Sequence, residues 1–391
     1  MSLPDYLQPE TWRKVQKMAE DTPTPFLALD LDNIEQKYQQ LVAGFDYAKV
    51  YYAVKANPAD EVVELLAEQG SSFDVASVYE LEKIRKFNID PERISFGNTI
   101  KKRSDIKAFY EYGVRLYATD SEQDLRNIAD NAPGSKIYIR VLTEGSEGAD
   151  WPLSRKFGCN PEMAYELAVL ARDLGLEPYG ISFHVGSQQR DIDVWDGAIA
   201  KVKVIFDRLM QEQQIKLKMI NMGGGFPANY LQKTNEFKTY VEEITRFLQE
   251  DFGDDIPEII LEPGRSLVGD AGVLVSEVVL IARKSSTALE RWVFTDVGKF
   301  SGLIETLDEA IKYPLTTDRH GDGSETEEVI LAGPTCDSVD IMYEHHRYKL
   351  PLSLEMGDRV YWFSTGAYTT SYSSIEFNGF PPLATYVLPR G

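Results

Sequence analysis

The chain is poor in cysteine, in histidine and in positive charge. Its 391 residues contain two cysteines and four histidines, and 41 lysines and arginines stand against 62 aspartates and glutamates, a formal net charge of −21. Cys159 and Cys336 lie far apart, which excludes a disulfide framework, and they lack the spacing of metal ligands. His184, His320, His345 and His346 form no HExxH pattern, so no metal is expected. Without clustered Lys and Arg the chain is not expected to bind nucleic acid, whereas its negative field suits a small cationic substrate. No apolar run approaches the roughly 18–20 residues that cross a bilayer. Met1-Ser2-Leu3-Pro4-Asp5-Tyr6 shows no basic segment leading into an apolar one, so a cytoplasmic protein without a membrane partner is expected. What remains is globular in composition, with 43% hydrophobic and 26% charged residues. It is long enough for a large barrel, or for a large domain with a smaller one.

Residues 9–20 have the period of an amphipathic helix, broken by Thr22-Pro23-Thr24-Pro25, and Phe26–Leu29 reads as a short strand. From there to about residue 265, short apolar or β-branched runs alternate with helical segments. The runs are 51–54, 72–75, 94–97, 114–118, 136–141, 180–184, 219–222 and 258–261; the helical segments include 78–87, 121–131, 162–174 and 192–211. Eight strands with intervening helices predict a (β/α)₈ barrel. The alternative, an open doubly wound sheet, is disfavoured because the glycine-rich stretch follows the seventh strand and not the first. After Arg265 the alternation stops. Residues 272–281, 291–296, 328–332 and 358–364 read as strands without crossover helices. The expected organisation is α/β: a barrel over 26–270, with 1–25 and 271–391 forming a β-rich domain. Residues 317–325 are polar and read as an exposed loop, and His345-His346 as a solvated surface feature.

Catalytic groups of such barrels collect at the C-terminal ends of the strands. Here those ends carry Lys55, Asp74, Asn98, Asp120, Arg140, His184, Gly223-Gly224-Gly225 and Glu262, with Arg265 just beyond. One or two satisfied polar groups would be ordinary; one at nearly every strand is not. Lys55 fits a lysine reaching to the rim, and also a Schiff-base amine. The glycine triplet fits a plain turn or an anion cradle, and Pro263-Gly264-Arg265 offers a second anion contact from the neighbouring strand end. Glu262 fits an ion pair with Arg265, or an acid holding a proton on a ring nitrogen. His184 fits a core histidine, a metal ligand or a ring stacker. Taken together, an amine, a phosphate cradle, a stacker and an acid describe a pyridoxal phosphate site.

Several segments occur in a recognisable order: Tyr51-Tyr52-Ala53-Val54-Lys55-Ala56-Asn57, Phe73-Asp74-Val75-Ala76-Ser77, Phe183-His184-Val185-Gly186-Ser187, Gly223-Gly224-Gly225-Phe226-Pro227, Glu262-Pro263-Gly264-Arg265 and Gly333-Pro334-Thr335-Cys336-Asp337. In these the chain resembles the ornithine decarboxylase family, the alanine-racemase-like class of pyridoxal phosphate enzymes, from residue 26 to 385. The resemblance implies that Lys55 is the cofactor lysine, that His184 stacks on the ring and that Glu262 pairs with its nitrogen. Ser187, Gly225, Arg265 and Tyr368 correspond to phosphate ligands, with Gly224, Pro263 and Gly264 beside them. Arg140 and Asp74 correspond to residues that orient Glu262 and the lysine. Cys336 corresponds to the acid that returns a proton after carbon dioxide leaves, and it acts in the partner subunit's site, which implies a homodimer with shared sites. Asp337, and Asp308 with it, correspond to residues that bind the distal ammonium of the substrate.

The implied reaction converts ornithine and/or lysine to putrescine or cadaverine. Around Asp308 the chain departs from the eukaryotic pattern, and Glu305 competes for the same role. Glu262 disfavours the alanine racemases, which place an arginine at the ring nitrogen. Cys336-Asp337-Ser338 differs from the Cys-Glu-Ser typical of diaminopimelate decarboxylases. The biosynthetic arginine decarboxylases of this fold are much longer. Antizyme-inhibitor-like relatives keep the fold without catalysis, but Lys55, His184, Glu262, Arg265 and Cys336 are all present here.

Overall fold

The computed structural model describes residues 6–143, 148–151 and 156–391, and the chain divides into two compact units. One takes the chain up to Ile34, Ala228–Lys233 and Leu267–Gly391; the other takes Glu35–Pro227 and Thr234–Ser266. The helix α1 (Pro9–Asp21) and the strand β1 (Phe26–Leu29) belong to the first of these. The expected boundaries, 26–270 for the barrel, therefore differ at both ends. The residues of β1 are wholly buried and pair with a strand of the β-rich unit, a long-range partner that local sequence does not announce.

The barrel strands are β2 (Ala48–Ala53), β3 (Ser72–Val75), β4 (Ile94–Phe96), β5 (Leu116–Thr119), β6 (Lys136–Arg140), β8 (Glu177–Ser182), β10 (Met219–Asn221) and β11 (Glu258–Leu261). They close in that order, β11 pairing with β2, and every pairing is parallel. These are the eight runs read from the sequence. A small antiparallel pair, β7 (Ala149–Trp151) and β9 (Ser187–Gln189), stands apart from the barrel.

Helices α2 (Leu31–Gly44), α3 (Asp60–Glu68), α4 (Val78–Arg85), α5 (Arg103–Tyr112), α6 (Glu122–Asn131), α7 (Pro161–Asp173), α8 (Asp193–Gln213) and α9 (Phe237–Phe252) alternate with the strands. Their ends follow local chemistry. Ser77 caps the Glu80 N–H at 3.3 Å while the Glu80 carboxylate accepts from the Ala76 N–H at 2.7 Å, a reciprocal capping arrangement that starts α4. Asn160 caps α7 ahead of Pro161, and Gly113 ends α5 with φ +113°. Between β4 and α6, the ammonium of Lys101 is wholly buried against Asp124 at 2.7 Å and also donates to the carbonyls of Asn98 and Ala118. Its three donors are thus all used, which is what makes a buried ammonium tolerable.

The β-rich unit is built on β12 (Gly272–Ala282), with β13 (Arg291–Thr295), β14 (Leu315–Thr317), β15 (Thr326–Ala332), β16 (Ile341–Pro351), β17 (Arg359–Phe363) and β18 (Ala384–Val387). The sheet runs β14-β17-β12-β13-β15-β16, with β1 on β12 and β18 on β1. Phe26, Ala28, Val273, Val275, Tyr361 and Phe363 form its core against Val15 and Ala19 of α1. Strand β16 crosses the region read as surface. His345 is exposed there, but His346 packs its ring against Tyr348 at 4.9 Å, so only half of the pair is a solvated feature.

Candidate active site

Lys55 follows β2 in a short 3₁₀ turn, Val54–Ala56. Its side chain is half exposed and its Nζ lies 3.7 Å from Asp74 Oδ2, at the end of β3. The lysine is accessible, not sealed in an apolar pocket. Asp74 is buried, and burial raises its pKa against the opposing charges of Lys55 and Arg140. Arg140 ends β6 with its guanidinium 5.0 Å from the Phe157 ring; burial lowers its pKa although Glu262, Asp74 and Asp120 all favour the cation.

Glu262 follows β11. Asn221, the last residue of β10, donates its side-chain amide to Glu262 Oε1, and the Glu262 N–H donates to the Gly223 carbonyl at 2.8 Å. Burial, reinforced by the charge of Asp74, pushes the Glu262 carboxyl up to about 8. His184 follows β8. The Gly186 N–H donates to its Nδ1 at 3.0 Å, which puts the ring proton on Nε2. Burial and the nearby Arg140 and Lys55 hold its pKa well below the usual histidine value, so the ring is neutral. Side chains on Gly223 or Gly224 would crowd this ring: their Cβ atoms would lie 3.1 Å from Cδ2 and 3.5 Å from Nε2.

The glycine stretch is held as a cradle. Gly225 has φ +99°, and a Cβ there would meet the Gly186 carbonyl and Val185 at 2.7 Å. The Gln189 N–H donates to the Gly225 carbonyl at 2.9 Å, tying β9 to the loop. Trp195 of α8, Phe226 and Tyr240 of α9 pack together behind it. Arg265 is buried, and its Nε donates to Ser187 Oγ at 3.0 Å. Pro263 and Gly264 are buried between Glu262 and Arg265, and the Pro263 carbonyl accepts from the Ala53 N–H at 3.0 Å, fixing this turn against β2.

Within the barrel unit the structure therefore brings together Lys55, Asp74, Arg140, His184, Ser187, Gly224, Gly225, Glu262, Pro263, Gly264 and Arg265. Two other strand-end groups serve the backbone instead: Asn98 bonds the Ala76 carbonyl and the Ile100 N–H, and Asp120 accepts from the Gly158 N–H at 2.8 Å. Asn221 was legible as a polar residue ending an apolar strand, yet only the structure reveals its partner.

The remaining predicted residues belong to the β-rich unit. Tyr368 has φ +59° and follows Gly366, where a Cβ would strike the Val268 carbonyl at 1.8 Å. Cys336 is exposed, its N–H bonded to Asn378 Oδ1 at 2.8 Å. Asp337 Oδ1 caps the Val339 N–H at 2.8 Å. Buried Asp340 anchors this loop, accepting from the Lys299 and Thr335 N–H groups and from the Thr335 hydroxyl. Asp308 is exposed with φ +52°, whereas Glu305 is buried. Next to Asp308, the Glu309 carboxylate accepts from the N–H groups of Glu344, His345 and His346 at 2.7–2.8 Å.

An accessible lysine, a neutral imidazole, a carboxyl of raised proton affinity and an anion cradle at the strand ends of one barrel define a pyridoxal phosphate enzyme. The residues fit that group: the glycines clear backbone N–H donors for a phosphate, Arg265 adds charge there, and Glu262 keeps a proton at neutral pH. The chain belongs to the pyridoxal-dependent decarboxylases, whose pyridoxal-binding domain model matches residues 31–269, and pyridoxal phosphate is its cofactor. It is 32% identical to the lysine/ornithine decarboxylase of Selenomonas ruminantium, across 94% of this chain and 90% of that protein. It is 32% identical to antizyme inhibitor 2 of Xenopus laevis, across 93% and 81%. A solved lysine/ornithine decarboxylase from Vibrio vulnificus, complexed with cadaverine, superposes with a TM-score of 0.86 at 28% identity, covering 98% of this chain and 99% of that one.

Proposed function

We propose that the chain is a cytoplasmic homodimeric decarboxylase that converts L-ornithine and/or L-lysine to putrescine or cadaverine. The observation that carries this reading is the cluster at the barrel strand ends, where the Lys55 amine faces Asp74 and Glu262 is held by Asn221. The names of the Selenomonas and Vibrio relatives support the substrate class.

Pyridoxal phosphate supplies a sink for the electron pair left when carbon dioxide departs. Lys55 holds the cofactor through its accessible amine. Glu262 would pair as a carboxylate with the protonated ring nitrogen and so hold a proton there. Neutral His184 presents a flat face without adding charge. Ser187, Gly224, Gly225 and Arg265 bind the phosphate with Tyr368, and Pro263 and Gly264 fix the turn that aims Arg265. Arg140 and Asp74 orient Glu262 and Lys55. Cys336 delivers a proton to Cα. Asp337 and Asp308 hold the distal ammonium of the substrate.

The dimer reading has its own support. Leu307, Val339, Tyr372, Ile375 and Phe377 are exposed apolar residues on the segments that carry Asp308, Asp337 and the Asn378 contact to Cys336, a surface suited to a second copy. A non-catalytic binding protein is the second reading, raised by the similarity to the Xenopus antizyme inhibitor. Assay of the purified protein on ornithine, lysine, arginine and diaminopimelate separates these readings. Release of carbon dioxide and diamine from the first two is expected. Preference for diaminopimelate, or no turnover on any of the four, contradicts the proposal.

A further inference from the structure

Beneath Lys55 the barrel interior holds three oxygens with no hydrogen-bond partner elsewhere: Asp74 Oδ1, Ser95 Oγ and Tyr138 Oη. Their residues are 4%, 1% and 2% exposed. Buried polar oxygens left without partners are unfavourable, so groups placed together in this way are expected to satisfy one another. Asp74 and Ser95 sit opposite one another in register on β3 and β4, and the Ser95 hydroxyl lies beside both the Asp74 carboxylate and the Tyr138 phenol. Tyr138 reaches inward from β6, and its register partner on β5 is Ala118, a bare methyl. Gly97 leaves the space open: a Cβ there would stand 1.8 Å from Asp74 Oδ1 and 3.2 Å from Tyr138 Oη.

We infer that Tyr138 and Ser95 are positioning residues that hold Asp74 through its inner oxygen, leaving the outer one to face Lys55. A carboxylate turning freely about its last bond would present either oxygen to the amine; one gripped from below presents one. Both hydroxyls are donors, and donors to a carboxylate favour its charged form. Asp74 is otherwise faced by Lys55 from the turn after β2, Glu80 of α4, Arg140 of β6 and Glu262 after β11, so the hydroxyls act together with two cations and against two further acids. This inference rests on the reading of Lys55 as the cofactor lysine.

The experiment is a pH titration of the absorbance band of the cofactor bound to Lys55, in the holoenzyme. Loss of the donors weakens the Asp74 anion that supports positive charge on the Lys55 nitrogen. Tyr138→Phe and Ser95→Ala should therefore each lower the midpoint, by about one pH unit or tenfold in the ionisation constant for Tyr138→Phe. Gly97→Ala, which pushes Asp74 aside without removing a hydroxyl, should lower it as well. Tyr179→Phe removes a hydroxyl bonded to Glu258 at 3.1 Å on the same barrel and should leave it unmoved. A midpoint unchanged or raised in Tyr138→Phe and Gly97→Ala overturns the inference. Persistence of the band in Lys55→Ala overturns instead the reading on which it rests.

Discussion

The two units treat their polar side chains in opposite ways. In the barrel, the charged groups at the strand ends are paired side chain to side chain: Asp74 to Lys55 and Arg140, Glu262 to Asn221, Arg265 to Ser187. In the β-rich unit, Cys336 and Asp308 are exposed, and what holds their loops is backbone bonding to Asn378, Asp340 and Glu309. The first arrangement shifts proton affinities, because low dielectric magnifies every charge. The second fixes where a side chain stands.

The sharpest break of this contrast is Lys55→Ala, which should abolish turnover, a loss above about 10³-fold, while the fold stays intact by circular dichroism. Cys336→Ala should slow turnover about 10²-fold, the range of a lost proton donor, and divert product away from the diamine. Mixing the Lys55→Ala and Cys336→Ala variants should raise activity above the residual level of the Cys336→Ala protein through hybrid sites; no rise would contradict shared sites. Asp337→Ala should raise KM about tenfold and spare kcat and cofactor affinity, because a substrate ammonium loses one partner. An unchanged KM moves ammonium recognition to another residue, with Glu305 buried nearby in sequence to Asp308 as the next to test.

The smallest effect concerns proton linkage. The folded pKa of Glu262 is raised above the unfolded value, so the stability it contributes is full below about pH 4.5 and is lost as pH rises through about 8. The Tm of the apoprotein should fall across that window. Glu262→Gln should flatten the fall, and an equally steep fall in the variant would remove the assignment.

Much of this was legible in the amino-acid order. All eight barrel strands were visible as apolar runs, since a parallel strand buried on both faces needs no alternation to be seen. Lys55, Asp74, Arg140, His184 and Glu262 stood out because they end such runs. Three things were not legible. The membership of Phe26–Leu29 in the β-rich sheet depends on β12, some 250 residues away. Strand β16 hides behind Glu344-His345-His346-Arg347, whose charges mask its pleat. Tyr138 and Ser95 sit inside strands, where a hydroxyl among apolar neighbours reads as ordinary β-propensity until Gly97 and Asp74 are seen beside it.

The central claim is that the cofactor is held at Lys55, and borohydride reduction of the holoenzyme followed by peptide mass mapping tests it most directly. The account predicts a single reduced pyridoxyl phosphate adduct on the peptide containing Lys55. An adduct on Lys101 or Lys299, or none at all, would contradict it.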